Sequence, residues 1–118
     1  MRIVIVGAGK LGYSIAGLLS NEGYEVVMID QDETKLEAVK NMLDVLTIRA
    51  NGASPATMTD VEVRGADLLI AVTDSDEVNL LACILAKKHR IRHTIARLRD
   101  MQFVSEVGDY LKKTFAID

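Results

Sequence analysis

The chain has 118 residues, of which 49% are apolar, and 17 Asp and Glu against 14 Lys and Arg leave a net charge of −3. That length suits one domain with a proper core and has no room for a separate substrate domain, and the acidic balance argues against broad binding to nucleic acid or a membrane surface. The single cysteine, Cys83, excludes an internal disulfide and suits a reducing cytosol, and no apolar run reaches the ~18 residues of a membrane span.

The chain opens on Arg2 Ile3 Val4 Ile5 Val6. Continuous apolarity of this kind marks a strand covered on both faces, and nothing in Met1 to Val6 resembles a secretion signal. Gly7 Ala8 Gly9 Lys10 Leu11 Gly12 follows, then Leu11, Ile15, Leu18 and Leu19 at helical spacing. Val26 to Ile29 reads as the second strand and runs into Asp30. The next helix is carried by Leu36, Val39 and Leu43, with Asp32 as its N-cap, and the third strand by Val45 to Ile48. After the loop Ala50 Asn51 Gly52 Ala53 Ser54, a short helix is expected between Ser54 and Val63, with Pro55 at its first position and Gly65 in the turn that leaves it. Leu68 to Val72 is the fourth strand. Thr73 to Glu77 leads into a helix with Val78, Leu81, Ala82 and Leu85 as its apolar positions; Asp74 with Glu77 three residues on reads as a capping box. Thr94 to Ala96 is the fifth strand, and Arg97 stands at its end. From Met101 to Phe115, the residues Phe103, Val104, Val107, Leu111 and Phe115 recur at roughly helical spacing, as either a self-association face or a helix packed on its own sheet.

Strands alternating with helices predict an α/β fold, a Rossmann-like doubly wound parallel sheet of order 3-2-1-4-5 with helices on both faces. The reversal between strands 1 and 4 opens a ligand crevice. The glycine turn, Asp30, the Ala50 to Ser54 loop and the Thr73 to Glu77 loop all reach it from carboxyl ends of strands.

The glycines have separate steric tasks. Gly7 allows the tight turn, Gly9 lets backbone approach a pyrophosphate, and Gly12 lets the helix pack on the sheet. Asp30, eighteen residues past Gly12, is placed to accept from a ribose hydroxyl. A carboxylate there favours NAD(H) or an adenosine nucleotide over NADP(H). Small residues at Ala50 to Ser54 leave room for a base, and Asn51 offers both donor and acceptor, although Asn-Gly is equally an ordinary turn. Thr73 is expected on ribose or phosphate and Asp74 mainly as a cap. Lys10 is a candidate phosphate cation or else a solvated lysine at a loop tip, and Arg97 could reach a phosphate or a neighbouring subunit. Six Lys or Arg and no acid lie between Lys87 and Arg99, but Lys87, Lys88 and His89 complement the end of a helix dipole. His89 and His93 stand away from the crevice, Cys83 sits among apolar neighbours, and no metal-ligand spacing occurs.

With these motifs the chain resembles the N-terminal nucleotide-binding domain of Trk-type potassium-uptake regulators, the KTN or RCK family. The resemblance rests on GAGKLG with Asp30, on NGAS, on ADLLIAVTDSDEVNLLACILAKK from Ala66 to Lys88, and on IARLR from Ile95 to Arg99. It implies a non-enzymatic cytoplasmic domain that binds NAD(H) or ATP and ADP. Such domains assemble into rings and report ligand state to a membrane potassium transporter or channel. By resemblance, the turn of Gly7, Ala8, Gly9, Lys10 and Leu11, closed by Gly12 in the same cofactor-binding motif, meets phosphate, Asp30 ribose, Ala50 and Asn51 the base, and Thr73, Asp74 and Arg97 make further contacts. Many members carry Asp in place of Asn51, and family chains usually continue beyond this point. Residues 1–118 are therefore expected to be one domain, either of a longer chain or of a subunit lacking the second sensor. A dehydrogenase cofactor fragment, and a redox-sensing nucleic-acid regulator built on Lys87 to Arg99, are the competing readings.

Overall fold

The computed structural model describes residues 1–115, without the side chains of residues 114 and 115. Five strands, β1 (Arg2–Val6), β2 (Glu25–Asp30), β3 (Leu46–Arg49), β4 (Leu68–Ala71) and β5 (His93–Ala96), alternate with α1 (Lys10–Asn21), α2 (Glu33–Met42), α3 (Pro55–Met58), α4 (Asp76–Lys88) and α5 (Met101–Phe115). The strands are all parallel, in the order β3-β2-β1-β4-β5. Sequence pattern and right-handed crossovers predict that order, and β1 lies at its centre with Val6 paired to Ile29 on one side and to Ala71 on the other.

Alternation along the central strands divides the core in two. Ile3, Ile5, Val26 and Met28 pack with Ala16, Leu36 and Val39 on the face covered by α1 and α2. Val4, Val6, Val27 and Ile29 pack with Met58, Val63, Ala82, Cys83 and Ala86 on the other. Every residue of β1 from Ile3 to Val6 is buried, as continuous apolarity predicts. The edge strands depart from that pattern: Leu46 of β3 and Ile95 of β5 are exposed, because an edge strand lacks a neighbour on one side and its helices cover it incompletely.

On two helices the expected apolar face is only partly realised: Ile15 and Leu19 of α1 and Ala82 and Leu85 of α4 pack on the core, but the closest contacts are made by smaller residues. On α1 the buried residues are Gly12 and Ala16, while Leu18 is 69% exposed. On α4 they are Asn79, Ala82, Cys83 and Ala86, and Leu81 points outward. Small residues let a helix approach the strands closely, so leucines flank the contact instead of filling it. On α2 the buried positions are those expected, Leu36 and Val39. Cys83 is fully buried, as packing among apolar neighbours predicts, and burial pushes its thiol up to about 12.

The expected helix after Ser54 is the single turn α3 with Pro55 in its first turn, followed by turns to Gly65. The tail forms α5, on which Leu111 is buried and Val104 and Val107 are half-buried, whereas Phe103 is exposed. Packing on its own domain therefore accounts for part of the apolar stripe. The Phe115 side chain and Ala116 to Asp118 lie outside the described residues. Among the described residues no helix is long and apolar enough to cross a membrane.

Candidate functional site

Where the sheet order reverses, between β1 and β4, a cleft of about 360 Å³ opens at the carboxyl ends of the strands. The glycine turn forms one wall, through Gly7 and Gly9. Asp30 and Gln31 bound it at the end of β2, Ala50 to Gly52 beyond β3, and Val72 to Ser75 beyond β4. Its apolar floor comes from Val6, Ile29 and Val72.

Close backbone contact fixes the glycine turn. Gly7 has φ +114°, and a Cβ there would lie 3.0 Å from the backbone of Val72 and Thr73, so the turn and the β4 loop touch directly. A Cβ on Gly12 would lie 1.9 Å from the carbonyl oxygen of Gly7; Gly12 is a packing residue beneath the turn. Around Gly9, by contrast, no atom comes within 4 Å of a built Cβ. The turn has no internal need of that glycine, and the space belongs to the cleft mouth.

Asp30 is held rather than free-standing. Its Oδ2 accepts from the Ala8 N–H at 2.8 Å and its Oδ1 from the Asp32 N–H at 2.8 Å. One carboxylate thus ties the end of β2 to the glycine turn and still has acceptor capacity on both oxygens. Asp32 is the N-cap of α2, accepting from the N–H groups of Thr34 and Lys35, as expected.

In the β3 loop the turn reading of Asn51 is realised: Oδ1 accepts from the Ala53 N–H at 2.9 Å, and the Asn51 carbonyl accepts from Thr57 Oγ1 at 2.6 Å. Asn51 also lines the cleft. Gly52 is needed for a reason beyond the turn. A Cβ there would sit 2.2 Å from Val6 Cγ1, so the loop lies directly on the end of β1.

The β4 loop corrects one expectation. The N-cap of α4 is Ser75, not Asp74: Ser75 Oγ accepts from the Val78 N–H at 3.2 Å, and it donates to Glu77. Asp74 is exposed at the cleft rim, one residue too early to reach the first helical N–H groups. The loop is held by Asn79, which sequence reasoning did not single out. Asn79 is fully buried, and its Oδ1 accepts from the Thr73 N–H at 2.9 Å and the Thr73 hydroxyl at 2.6 Å. Its Nδ2 donates to the carbonyls of Thr73 at 3.1 Å and Arg97 at 2.9 Å. An asparagine on the same stripe as Ala82, Cys83 and Ala86 was the available signal. A buried amide needs partners, and here the backbone of residues 73 and 97 and the Thr73 hydroxyl supply them.

Not all of the expected residues meet in the cleft. Gly7, Gly9, Asp30, Ala50, Asn51, Thr73 and Asp74 line it. Ala8 and Lys10 instead face a shallower depression beside it, together with Lys35. Leu11 is exposed on α1 and Gly12 is buried below the turn. Arg97 lies just past β5 and is absent from the cleft lining; its backbone N–H donates to the Ala71 carbonyl at 2.9 Å. Lys35, missed in the sequence because it reads as an ordinary helix residue, borders both the cleft and the depression. His93 stands at the start of β5 and His89 caps the end of α4, at the opposite end of the sheet from the cleft.

The profile of the TrkA-N domain matches residues 3–116 of this chain. The chain belongs to the TrkA-N domain family. A "Trk system potassium uptake protein TrkA homolog 1" from Methanosarcina mazei is 51% identical over 89 residues, covering 74% of this chain and 21% of that protein. A TrkA homolog from Methanothermobacter thermautotrophicus is 38% identical over 98 residues, covering 83% of the chain and 45% of the relative. The TrkA-N chain thus spans less than half the length of these curated relatives. Among solved structures, the Shewanella denitrificans Kef C-terminal domain in AMP-bound form superposes with a TM-score of 0.78 at 21% identity, covering all of this chain and 72% of that one. The NAD(P)-binding domain of an exopolyphosphatase-related protein from Archaeoglobus fulgidus follows with a TM-score of 0.77 at 17% identity, over 97% of this chain and 93% of that one. At such identities the likeness concerns the fold.

Proposed function

We propose that this TrkA-N domain binds NAD(H) or an adenine nucleotide such as ATP or ADP, without chemistry of its own, as the nucleotide-sensing part of a longer potassium-uptake regulator. The observation that carries the reading is the bond from the Ala8 N–H to Asp30 Oδ2 at 2.8 Å. It sets a ribose acceptor against a glycine turn whose open side, at Gly9, leaves room for phosphate. The diphosphate runs past Gly7 to Gly9 toward the first N–H groups of α1, where the helix dipole favours an anion. Lys10 and Lys35 neutralise it from the adjoining depression, the base lies over Ala50 and Asn51, and Thr73 and Asp74 close the far side. Arg97 supports the site from beside β4 through its backbone, which donates to the Ala71 carbonyl and accepts from Asn79.

Regulation is supported by the names of the relatives, which are Trk potassium-uptake proteins. In this reading residues 1–118 are one domain, cytoplasmic, held at the inner face of the membrane through a potassium transporter or channel subunit and self-associated with other copies. Nucleotide then acts by differential affinity for two arrangements of the assembly.

Calorimetric titration of the purified domain with NADH, NAD, ATP and ADP tests the reading. Saturable binding of at least one of them is expected; no binding of any at millimolar concentration overturns it. A dehydrogenase fragment would instead require acid–base residues in the sequence that follows Asp118.

A further inference from the structure

Hydrogen bonds that the nucleotide reading does not use join the rim of the cleft to the head of α5. Asp74 lines the cleft, and its carbonyl accepts from Arg99 Nη2 at 2.8 Å. Two residues on, Asp76 opens α4 and holds the segment before α5: its carboxylate accepts from the Arg99 N–H at 3.0 and 3.1 Å and from the Asp100 N–H at 3.0 Å. Asp100 in turn starts α5. Its Oδ1 accepts from the N–H groups of Gln102 at 3.0 Å and Phe103 at 3.2 Å, and its carbonyl accepts from the Val104 N–H. Asn79 is a second strut, spanning from Thr73 at the cleft to the Arg97 carbonyl.

These bonds form one chain: cleft rim, first turn of α4, residues 97–100, and the N-terminus of α5. A carboxylate accepting from backbone N–H groups makes charge-assisted bonds, stronger than neutral ones. The first turn of α5 is otherwise weakly anchored, since Met101 and Phe103 are exposed and the helix first becomes half-buried at Val104. Where α5 begins is therefore set by α4 and the cleft rim more than by its own packing. We propose that Asp76 and Arg99 are positioning residues that couple occupancy of the cleft to the placement of the head of α5. A nucleotide drawn against Thr73 to Ser75 shifts or stiffens the Asp74 carbonyl and the start of α4, and residues 97–100 follow because they hang from both. The readout lies on the exposed outer side of the helix, at Met101 and Phe103. The coupling rests on the nucleotide reading above and adds its route.

Hydrogen–deuterium exchange of the 118-residue chain, with and without saturating NADH or ATP, tests it. In the parent, nucleotide is expected to slow exchange at least about threefold in both 73–79 and 99–104. In Asp76→Ala, protection of 73–79 should persist while the ligand-induced protection of 99–104 falls away; Arg99→Ala, which removes only the guanidinium bond to the Asp74 carbonyl, should reduce that protection in part. Asp76→Glu, which keeps a carboxylate, should restore part of it. A merely structural role would speed exchange in 99–104 without ligand yet leave the ratio between bound and free unchanged, and that result overturns the coupling. Protection confined to 73–79 in the parent also overturns it while sparing the nucleotide reading. No protection anywhere with either nucleotide overturns both.

Discussion

Gly9, Gly12 and Gly52 look alike in the sequence but differ in what surrounds them. A Cβ on Gly12 or Gly52 would meet buried atoms at 1.9 Å and 2.2 Å, whereas one on Gly9 meets nothing. In Gly52→Ala the obstructing atoms belong to Val6, a buried branched side chain in the central strand with nowhere to move. A loss of about 1–3 kcal/mol in urea unfolding is expected, typical of overpacking. Gly9→Ala should change stability by less than about 1 kcal/mol, since its backbone is in the extended region open to alanine. It should nevertheless weaken nucleotide binding about tenfold or more by calorimetry, because the added methyl occupies the approach to the turn. Asp30→Ala would mix the two effects, since the same carboxylate pins Ala8 and Asp32. Gly9 therefore separates binding from folding more cleanly than the acid that first marks the site. The glycine spacing and Asp30 were legible because backbone sterics fix their positions locally. Gly52 was legible only as a turn residue, since its close contact is with a strand 46 positions earlier.

At the scale of elements, α4 is the organiser of the site. Its first turn holds residues 97–100 through Asp76, and its buried stripe begins with Asn79, which closes the β4 loop. Truncation in Asn79→Ala leaves the Thr73 N–H and the carbonyls of Thr73 and Arg97 without their partner at a half-buried place beneath the cleft wall. A stability loss of about 3 kcal/mol is expected in chemical unfolding, the cost of several unsatisfied, partly buried groups. Asp76 carries a pH signature. Backbone hydrogen bonds from Arg99 and then Asp100 lower its carboxyl below the ordinary value of 3.8. The unfolded chain then binds the proton more readily than the folded one, so the contribution of Asp76 is full above that value and is lost as pH falls through the depressed folded value. Thermal scans across the range below about pH 4 should show Asp76→Asn losing less stability on acidification than the parent. Helix existence and order were legible from periodicity, but the buried face of α4 was legible only in part. Its periodicity suggested Val78, Leu81, Ala82 and Leu85; Ala82 is buried and Leu85 packs on the core, but close packing on the sheet adds Asn79, Cys83 and Ala86 and leaves Leu81 outside.

For the whole molecule, the cleft exists only because the reversal in strand order leaves β1 and β4 adjacent with their following helices on opposite faces. Ligand binding there should stabilise the entire fold, because all four walls come from different elements and none survives unfolding. At a nucleotide concentration a hundredfold above Kd, the unfolding free energy should rise by about 2.7 kcal/mol, read as a higher urea midpoint. Gly9→Ala at the same nucleotide concentration should gain distinctly less. Equal gains in both would remove Gly9 from the site.

Taken alone, the sequence determined the strand order, the place of the crevice, the glycine turn with Asp30, the Asp32 cap and the burial of Cys83. Each follows from a short-range rule: a period, a spacing, a handed crossover or a run of apolar neighbours. Only the tertiary structure decided that Ser75 rather than Asp74 caps α4, and that Asn79 and Gly52 shape the cleft. It also set Arg97 beside the cleft wall instead of in it, and brought Lys35 to the edge of the glycine turn. Those outcomes depend on how closely a helix approaches the sheet and on which loop backbone a buried polar group can reach. Such distances are fixed by residues far apart in the chain, and no local pattern encodes them.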